Sequence, residues 1–538
     1  MSLDSADDKR ENVFADVQHR AGGDSLKKRY FFKLLTNFIG LIIYVISQAI
    51  IPRGLGPKTY GDFNFLTNFF NQIVGFLDMG TSVGFYTKLS QRQKEFGLVS
   101  FYLYFTGIIS LCVIGFVLCM FSTPIHSWLW PAQEMLYIYM AALWGILTWA
   151  AQVFNKIADA YGVTVSTEIA RILQKVLGMI LIIFLYYFNY LNLTNFFYYH
   201  YIILLFLCIA FIYALENKGY SMKQDWTLSL VQIKEYIREF YHYSHPLFSF
   251  AIVVLIGGIF DRWLLQVYGG SIQQGFYSLS YQIGAACFLF TSAMTALFMR
   301  EMSIAYGNED FAQMAHLFRR HVPLLYSIAA YFSCFIAVQA GKVIYIFGGN
   351  KYKDAATAVA IMAFFPIHQT YGQLSGSIFY ATGRTALYRN IGILFLLIGL
   401  PVTYFLIAPK GHWGLDAGAT GLAVKMVLMQ LVGANVFFYF NAKYLKLSFL
   451  KYLTHQTVSV VCLLTLAFLA SSGIDTVMGS YANIILKFIL AGSVYSILTI
   501  ILVFYSPAVF GLKHQDILYF RKNLYDKCIL LYKKAKCL

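Results

Sequence analysis

The sequence predicts an all-α integral membrane protein of about fourteen transmembrane helices. Two six-helix lobes are related by an internal repeat, and two extra helices follow at the C-terminal end. Three observations predict this. Of 538 residues, 59% are hydrophobic and only 12% charged, whereas soluble domains carry about 25% charged residues. Apolar stretches of spanning length, about 20 residues, recur from Tyr30 to Tyr505. Lys and Arg gather in alternate connections between those stretches. With a mean hydropathy of +0.61, the chain is not expected to be a soluble enzyme, a disordered protein or a coiled coil.

Residues 1–29 form a polar, mixed-charge N-terminus without the apolar core of a cleavable signal. Residues 30–214 hold spans one to six, near 34–51, 63–86, 98–121, 135–154, 172–190 and 196–214. A linker, 215–245, contains Trp226, Leu230, Ile233, Ile237 and Phe240 at helical spacing, with Lys234, Glu235, Arg238 and Glu239 on the other side. That pattern suits an amphipathic helix at the membrane surface. Residues 246–441 hold spans seven to twelve, near 246–267, 277–298, 322–347, 355–380, 391–408 and 417–440. Spans thirteen and fourteen lie near 455–472 and 484–505, within 442–505. The basic tail, 506–538, repeats the amphipathic pattern through Ile517, Phe520, Leu524, Cys528 and Leu531.

The charges supply the orientation. With the N-terminus inside and fourteen spans, 32 of the 41 Lys and Arg residues fall on the cytoplasmic side and 6 on the other. Arg262, Lys425 and Lys487 lie within spans. Cytoplasmic loops carry the Lys/Arg excess, so both termini are expected inside. The net charge of +16 then reflects topology and lipid headgroups, with no nucleic-acid partner. The eight Cys show no CxxC pair or Cys/His cluster, so neither a metal site nor a disulfide framework is expected.

Two motifs recur. Gly56-Pro57-Lys58-Thr59-Tyr60-Gly61-Asp62-Phe63 and Gly270-Ser271-Ile272-Gln273-Gln274-Gly275-Phe276-Tyr277 both read G-x4-G-x-aromatic, 214 residues apart. Ala160–Thr164 and Ala381–Thr385 both read A-x-G-x-T, 221 apart. Six spans separate the copies, an even number, so the two lobes have parallel topology. Repeated-lobe transporters bind substrate between lobes near mid-membrane.

These residues also carry a family resemblance. Ile51–Gly61 resembles the first periplasmic turn of polysaccharide-type flippases, and Ile259–Leu265 with Gly275–Tyr277 resembles their seventh helix. Phe347–Tyr352 resembles their ninth-helix exit, and Tyr380–Arg384 the turn before their eleventh. From about Lys33 to Tyr505 the chain resembles the multidrug/oligosaccharidyl-lipid/polysaccharide (MOP) superfamily, polysaccharide-transporter branch. The resemblance implies an inner-membrane flippase for a polyprenyl-diphosphate-linked oligosaccharide. Its implied partners are that lipid-linked glycan, membrane lipids and polysaccharide-assembly proteins. It implies no cofactor, and no site for a coupling cation is legible.

Polar residues inside spans are costly and face a cavity or a partner helix. Span two carries Asn64, Asn68, Asn71, Gly75, Asp78 and Ser82 on one face. Span one carries Lys33, Asn37, Gly40, Tyr44 and Gln48; span four carries Thr148, Gln152, Asn155 and Asp159. In span seven, Asp261 and Arg262 point about 100° apart, so each needs another partner. Arg262 would hold a substrate phosphate and Asp261 balance it, or both would join a fixed inter-helix network. His368 and Gln373 in span ten and Lys425 in span twelve complete the cavity candidates. A drug/cation antiporter of the same superfamily stays open through Asp78 and Asp261. A membrane glycosyltransferase or polymerase is disfavoured by short outer loops and the absence of a nucleophile or paired-carboxylate motif.

The 32-to-6 asymmetry makes a direct prediction. A reporter fused after Leu538 should show cytoplasmic activity, and one inserted near Lys353 should not.

Overall fold

The computed structural model describes residues 26–78, 80–92, 95–121, 123–220, 228–245, 248–479 and 483–516, and none of these forms a strand. The first helices are α1 (Leu26–Asp78), α2 (Thr81–Gln91), α3 (Phe96–Phe121), α4 (Ile125–Leu129), α5 (Met135–Ala160) and α6 (Thr164–Tyr187). Next come α7 (Leu193–Glu216), α8 (Leu230–Ser244), α9 (Phe248–Gly307), α10 (Phe311–Val338), α11 (Ala340–Phe347) and α12 (Ala356–Met362). The last are α13 (Phe365–Ala381), α14 (Thr385–Ile407), α15 (Gly418–Tyr444), α16 (Phe449–Met478) and α17 (Ile484–Tyr505). Ten helices among the described residues are long and apolar enough to cross a membrane. The long α1 and α9 each turn through a glycine, and the tenth expected span is broken into α12 and α13.

Those two glycines open the first repeat motif. Gly56 has φ 75° and ψ 169°, and Gly270 has φ 65° and ψ −173°. A side chain would strain this backbone. Pro57 follows at the first position of its segment, where no donor is needed. The second motif matches too. Gly162 (φ 77°) and Gly383 (φ 68°) precede Val163 (φ −82°, ψ 31°) and Arg384 (φ −81°, ψ 40°). The sequence repeat is a backbone repeat.

The two corners also touch. Gly61 packs on the Ser271 carbonyl, and Gly275 packs on the Pro57 carbonyl. Ser271 follows Pro57 by 214 residues, as Gly275 follows Gly61, so the contact is reciprocal. Neither corner could approach with a Cβ in the way.

Helix α6 begins at Thr164, eight residues before the expected start at 172. The A-x-G-x-T turn is tight enough for the helix to restart at once. Arg171, one residue before the expected span, and Lys175, near its expected start, therefore lie well inside the helix. Burial of Glu168 beside Arg171, 2.9 Å from carboxylate to guanidinium, makes this tolerable.

Packing divides the chain into one compact unit ending at Gly275 and another beginning at Phe276. The first segment of α9 therefore packs with the first unit, although the repeat counts it with the second lobe. In the first unit Phe85 stacks on Tyr102 at 4.2 Å. In the second, Phe318 stacks on Phe438 at 5.3 Å with Tyr452 across both rings.

The linker helix α8 starts at a capping box between Ser229 and Gln232. Its buried face is Tyr236 and Phe240, set against Phe101 at 5.2 and 5.7 Å. Leu230 and Ile237, expected on that same face, are exposed instead. Trp226 and the tail pattern from Ile517 onward lie outside the described residues. Glu239 accepts from Lys88 Nζ at 2.5 Å and Arg92 Nη2 at 3.0 Å. Partial burial pushes its carboxyl up, but Lys88 and Arg92 outweigh that and hold it below the ordinary glutamate value.

Two predictions follow from this packing. Gly275→Ala drives a methyl group into the Pro57 carbonyl, and overpacking of this kind costs about 1–3 kcal/mol. Thermal unfolding in detergent should show a lowered midpoint, while Gly75→Ala, with open space around it, should not. A depressed carboxylate contributes stability above its unfolded pKa and loses it as pH falls through the folded one. The hydrogen-exchange protection factors in α8, taken relative to the intrinsic rate at each pH, should therefore be unchanged from pH 7 to 5 and fall below about pH 4.3. Glu239→Gln should remove most of that acid dependence.

Candidate functional site

The second segment of α1 and the first segment of α9 face each other through polar groups. Asn68 Nδ2 donates to the Gly258 carbonyl at 3.3 Å. The Gln72 amide fills the space over Gly258, where any Cβ would collide with it. One turn beyond Gly258 stands Arg262, half-buried. Its Nη1 donates to Gln274 Oε1 at 3.1 Å, and Gln274 Nε2 donates back to the Arg262 carbonyl. In the other corner Tyr60 Oη donates to Gln48 Oε1 at 3.3 Å. Gln48 and Arg262 are 214 residues apart, and so are Tyr60 and Gln274. One hydrogen-bonded pair is thus built twice, and the second copy carries a charge. Arg262 also lies within electrostatic reach of the Tyr60 hydroxyl. Asp261 is half-buried and engaged in contacts of its own.

A second cluster closes over the same corners. Asp62 accepts from Ser271 Oγ and, at 2.7 Å, from Gln133 Nε2. Gln266 Nε2 donates to Ser271 Oγ and to the Pro131 carbonyl, both at 3.1 Å. Trp263 Nε1 donates to the Trp128 carbonyl at 2.7 Å, with the two rings 5.0 Å apart. The segment joining α4 to α5 is thereby tied to both corners.

A third polar seam runs between α6 and α1. Thr164, Glu168, Arg171, Lys175 and Gly178 step by 4, 3, 4 and 3 along α6, which places them on one face. Ile169, Leu173, Val176 and Ile180 occupy the opposite, exposed face. Lys175 Nζ donates to the Thr36 carbonyl of α1 at 3.1 Å, in the space left by Gly40.

The remaining sequence candidates fall as follows. Lys33 and Asn37 lie on α1, and their side chains are outside the described residues. Asn71 and Gln152 are exposed. Asn155 is half-buried with its Oδ1 unpartnered. Asp78 accepts from Tyr102 Oη at 3.1 Å and Ser82 Oγ at 2.9 Å, which ties α1 to α2 and α3. In the second unit Gln373 accepts from Thr295 at 3.3 Å. His368 is buried beside Tyr326, with ring centroids 6.3 Å apart. Lys425 is buried with its ammonium beside Gly399 of α14. Gln48, Asn68 and Arg262 are therefore brought into one neighbourhood, with Tyr60, Gln72 and Gln274 added. Those three were not singled out from the sequence. Tyr60 and Gln274 stand at the same place inside the two copies of the motif, and carrying its 214-residue offset outward pairs Gln48 with Arg262.

Residues 26–298, just over half of the chain, match the profile of the polysaccharide biosynthesis protein family. The chain belongs to this family. No curated protein sequence matches it significantly. Solved structures place the fold of this polysaccharide biosynthesis protein. An inward-facing multidrug resistance transporter of the MATE family, in the MOP superfamily, matches with TM-score 0.62 at 17% identity. The match covers 76% of this chain and 94% of that one. The lipid II flippase MurJ, in an inward closed conformation, matches with TM-score 0.62 at 12% identity, over 88% of this chain and 98% of that one. A Pyrococcus furiosus MOP transporter, described as having a binding pocket of reverse polarity, matches with TM-score 0.51 at 16% identity, over 79% and 97%. The chain is a multi-pass membrane protein with the MOP-superfamily fold.

Proposed function

We propose that this protein is a flippase that moves a polyprenyl-diphosphate-linked oligosaccharide across a bacterial inner membrane by alternating access. The observation that carries the reading is Arg262. Its guanidinium is half-buried within a spanning segment, and its hydrogen bond to Gln274 is to an uncharged amide. The amide orients the planar fork, and a guanidinium held in a set orientation inside a span suits bidentate recognition of a phosphate. The family assignment makes a lipid-linked glycan the natural source of that anion. Lys33 and Lys425 are further basic candidates for the diphosphate, and the lipid tail would stay in the bilayer. Polysaccharide-assembly proteins are the expected neighbours.

Cation-coupled drug antiport is the second reading, favoured by the likeness to the MATE transporter. Two carboxylates of the first unit weigh against it. Asp78 is held by Tyr102 and Ser82, and Glu168 by Arg171. A carboxylate already bonded this way is poorly placed to exchange a cation with each cycle.

Arg262→Ala should abolish surface glycan display while membrane abundance stays normal. Arg262→Lys should restore part of it, because charge survives and the fork is lost. Glycan display is measured beside quantified membrane protein. Normal display in Arg262→Ala would remove the substrate role, and lost abundance would assign Arg262 to the fold.

A further inference from the structure

We propose that Lys175 of α6, with Arg171 one turn away, forms a binding site on the α1–α6 seam for the phosphoryl headgroup of a lipid. Lys175 is the twelfth residue of α6, which places it about 16 Å along the helix from Thr164. Loops supply no water at that depth, and a lysine near a span centre costs roughly 2.5–3.5 kcal/mol even on permissive insertion scales. Its neighbour Arg171 has a fixed counter-charge, since Glu168 lies 2.9 Å away. Lys175 has none within 4 Å among the described residues, where its one hydrogen bond goes to the Thr36 carbonyl. An ammonium has three donors, and that carbonyl belongs to a helix whose own ladder already uses it.

The seam is shaped around the ammonium. Gly40 of α1 leaves the space it occupies, and a Cβ there would collide with Nζ. Thr36 is fully packed and bonds both Phe32 and Glu168 carbonyls, at 2.9 and 3.4 Å, so the α1 wall is fixed. The face opposite the stripe is exposed Ile, Leu and Val, as a lipid-bathed face would be. A lipid whose tail runs in hydrocarbon and whose headgroup is anionic satisfies both surroundings at once. Two sources share that chemistry: a prenyl diphosphate, which deepens the flippase reading and rests on it, and an anionic phospholipid of the bilayer.

The test uses the full chain in phosphatidylcholine nanodiscs. Geranylgeranyl diphosphate and phosphatidylglycerol are titrated separately, and tryptophan fluorescence reports Kd. For whichever lipid binds, Lys175→Gln should raise Kd about tenfold and Lys175→Arg less than about threefold. Gly40→Ala keeps the charge but displaces it, and should weaken binding about as much as Lys175→Gln. Response to the diphosphate alone identifies the substrate class, and response to phosphatidylglycerol alone identifies the bilayer lipid. Unchanged Kd in both Lys175→Gln and Gly40→Ala, or no binding of either lipid by the native chain, overturns the proposal. If Lys175→Gln does not fold, Gly40→Ala decides alone. Loss of glycan display in Arg262→Ala with no effect of Lys175→Gln on binding would leave the flippase standing and remove this site. Weakened binding in Lys175→Gln with normal display in Arg262→Ala would do the reverse.

Discussion

Helices in hydrocarbon have no hydrophobic force drawing them together, so they associate through close packing and hydrogen bonds. Here that constraint converges on Gly61 and Gly275, which let two glycine-turned corners meet backbone to backbone. The polar contacts around the two corners depend on this approach. It lets Asp62 reach Ser271, brings the Tyr60 hydroxyl near Arg262, and sets Asn68 and Gln72 against Gly258. A repeat that places the same small residue at the same offset makes the contact reciprocal. One substitution then perturbs one half of a paired contact.

Embedded polar groups sort by what compensates them. Asp78 accepts from Ser82 and Tyr102, Glu168 faces Arg171, and Asn435 and Gln456 exchange amide hydrogen bonds at 2.9 and 3.3 Å. These are closed arrangements that join helices, and each would cost stability if broken. Lys175 differs, because its hydrogen bond ends on the uncharged Thr36 carbonyl. A neutral acceptor orients a cation without cancelling its field.

Much of this was legible in the sequence. The all-helical membrane class followed from composition, and both repeat motifs reappear as matching backbone turns at Gly56 with Gly270 and at Gly162 with Gly383. The span-two stripe is also real in part, since Asn68 does reach α9. The α6 seam was not legible, because the expected span began at 172, beside Arg171 and Lys175, on the logic that charge marks the end of a span. A partner on the same helix, Glu168, removes that logic. Amphipathic spacing in α8 likewise could not separate Tyr236 and Phe240, which pack on Phe101, from Leu230 and Ile237, which do not. Helical period names a face, but tertiary contact decides which edge of it is covered.

The same TM-score of 0.62 relates this fold to a multidrug transporter and to a lipid II flippase. A shared scaffold therefore carries cargo of different character, and the discrimination must lie in side chains. A carrier for cationic drugs needs carboxylates that can be vacated; a carrier for a diphosphate needs cations that are oriented but not neutralised. In the first unit the carboxylates of Asp62, Asp78 and Glu168 all accept hydrogen bonds or a salt bridge from fixed neighbours. Arg262 and Lys175 donate to an amide and a carbonyl. In a low-dielectric setting the penalty for an unpaired ion exceeds any contact a neutral group supplies, so discrimination between such cargoes falls to how each embedded charge is compensated.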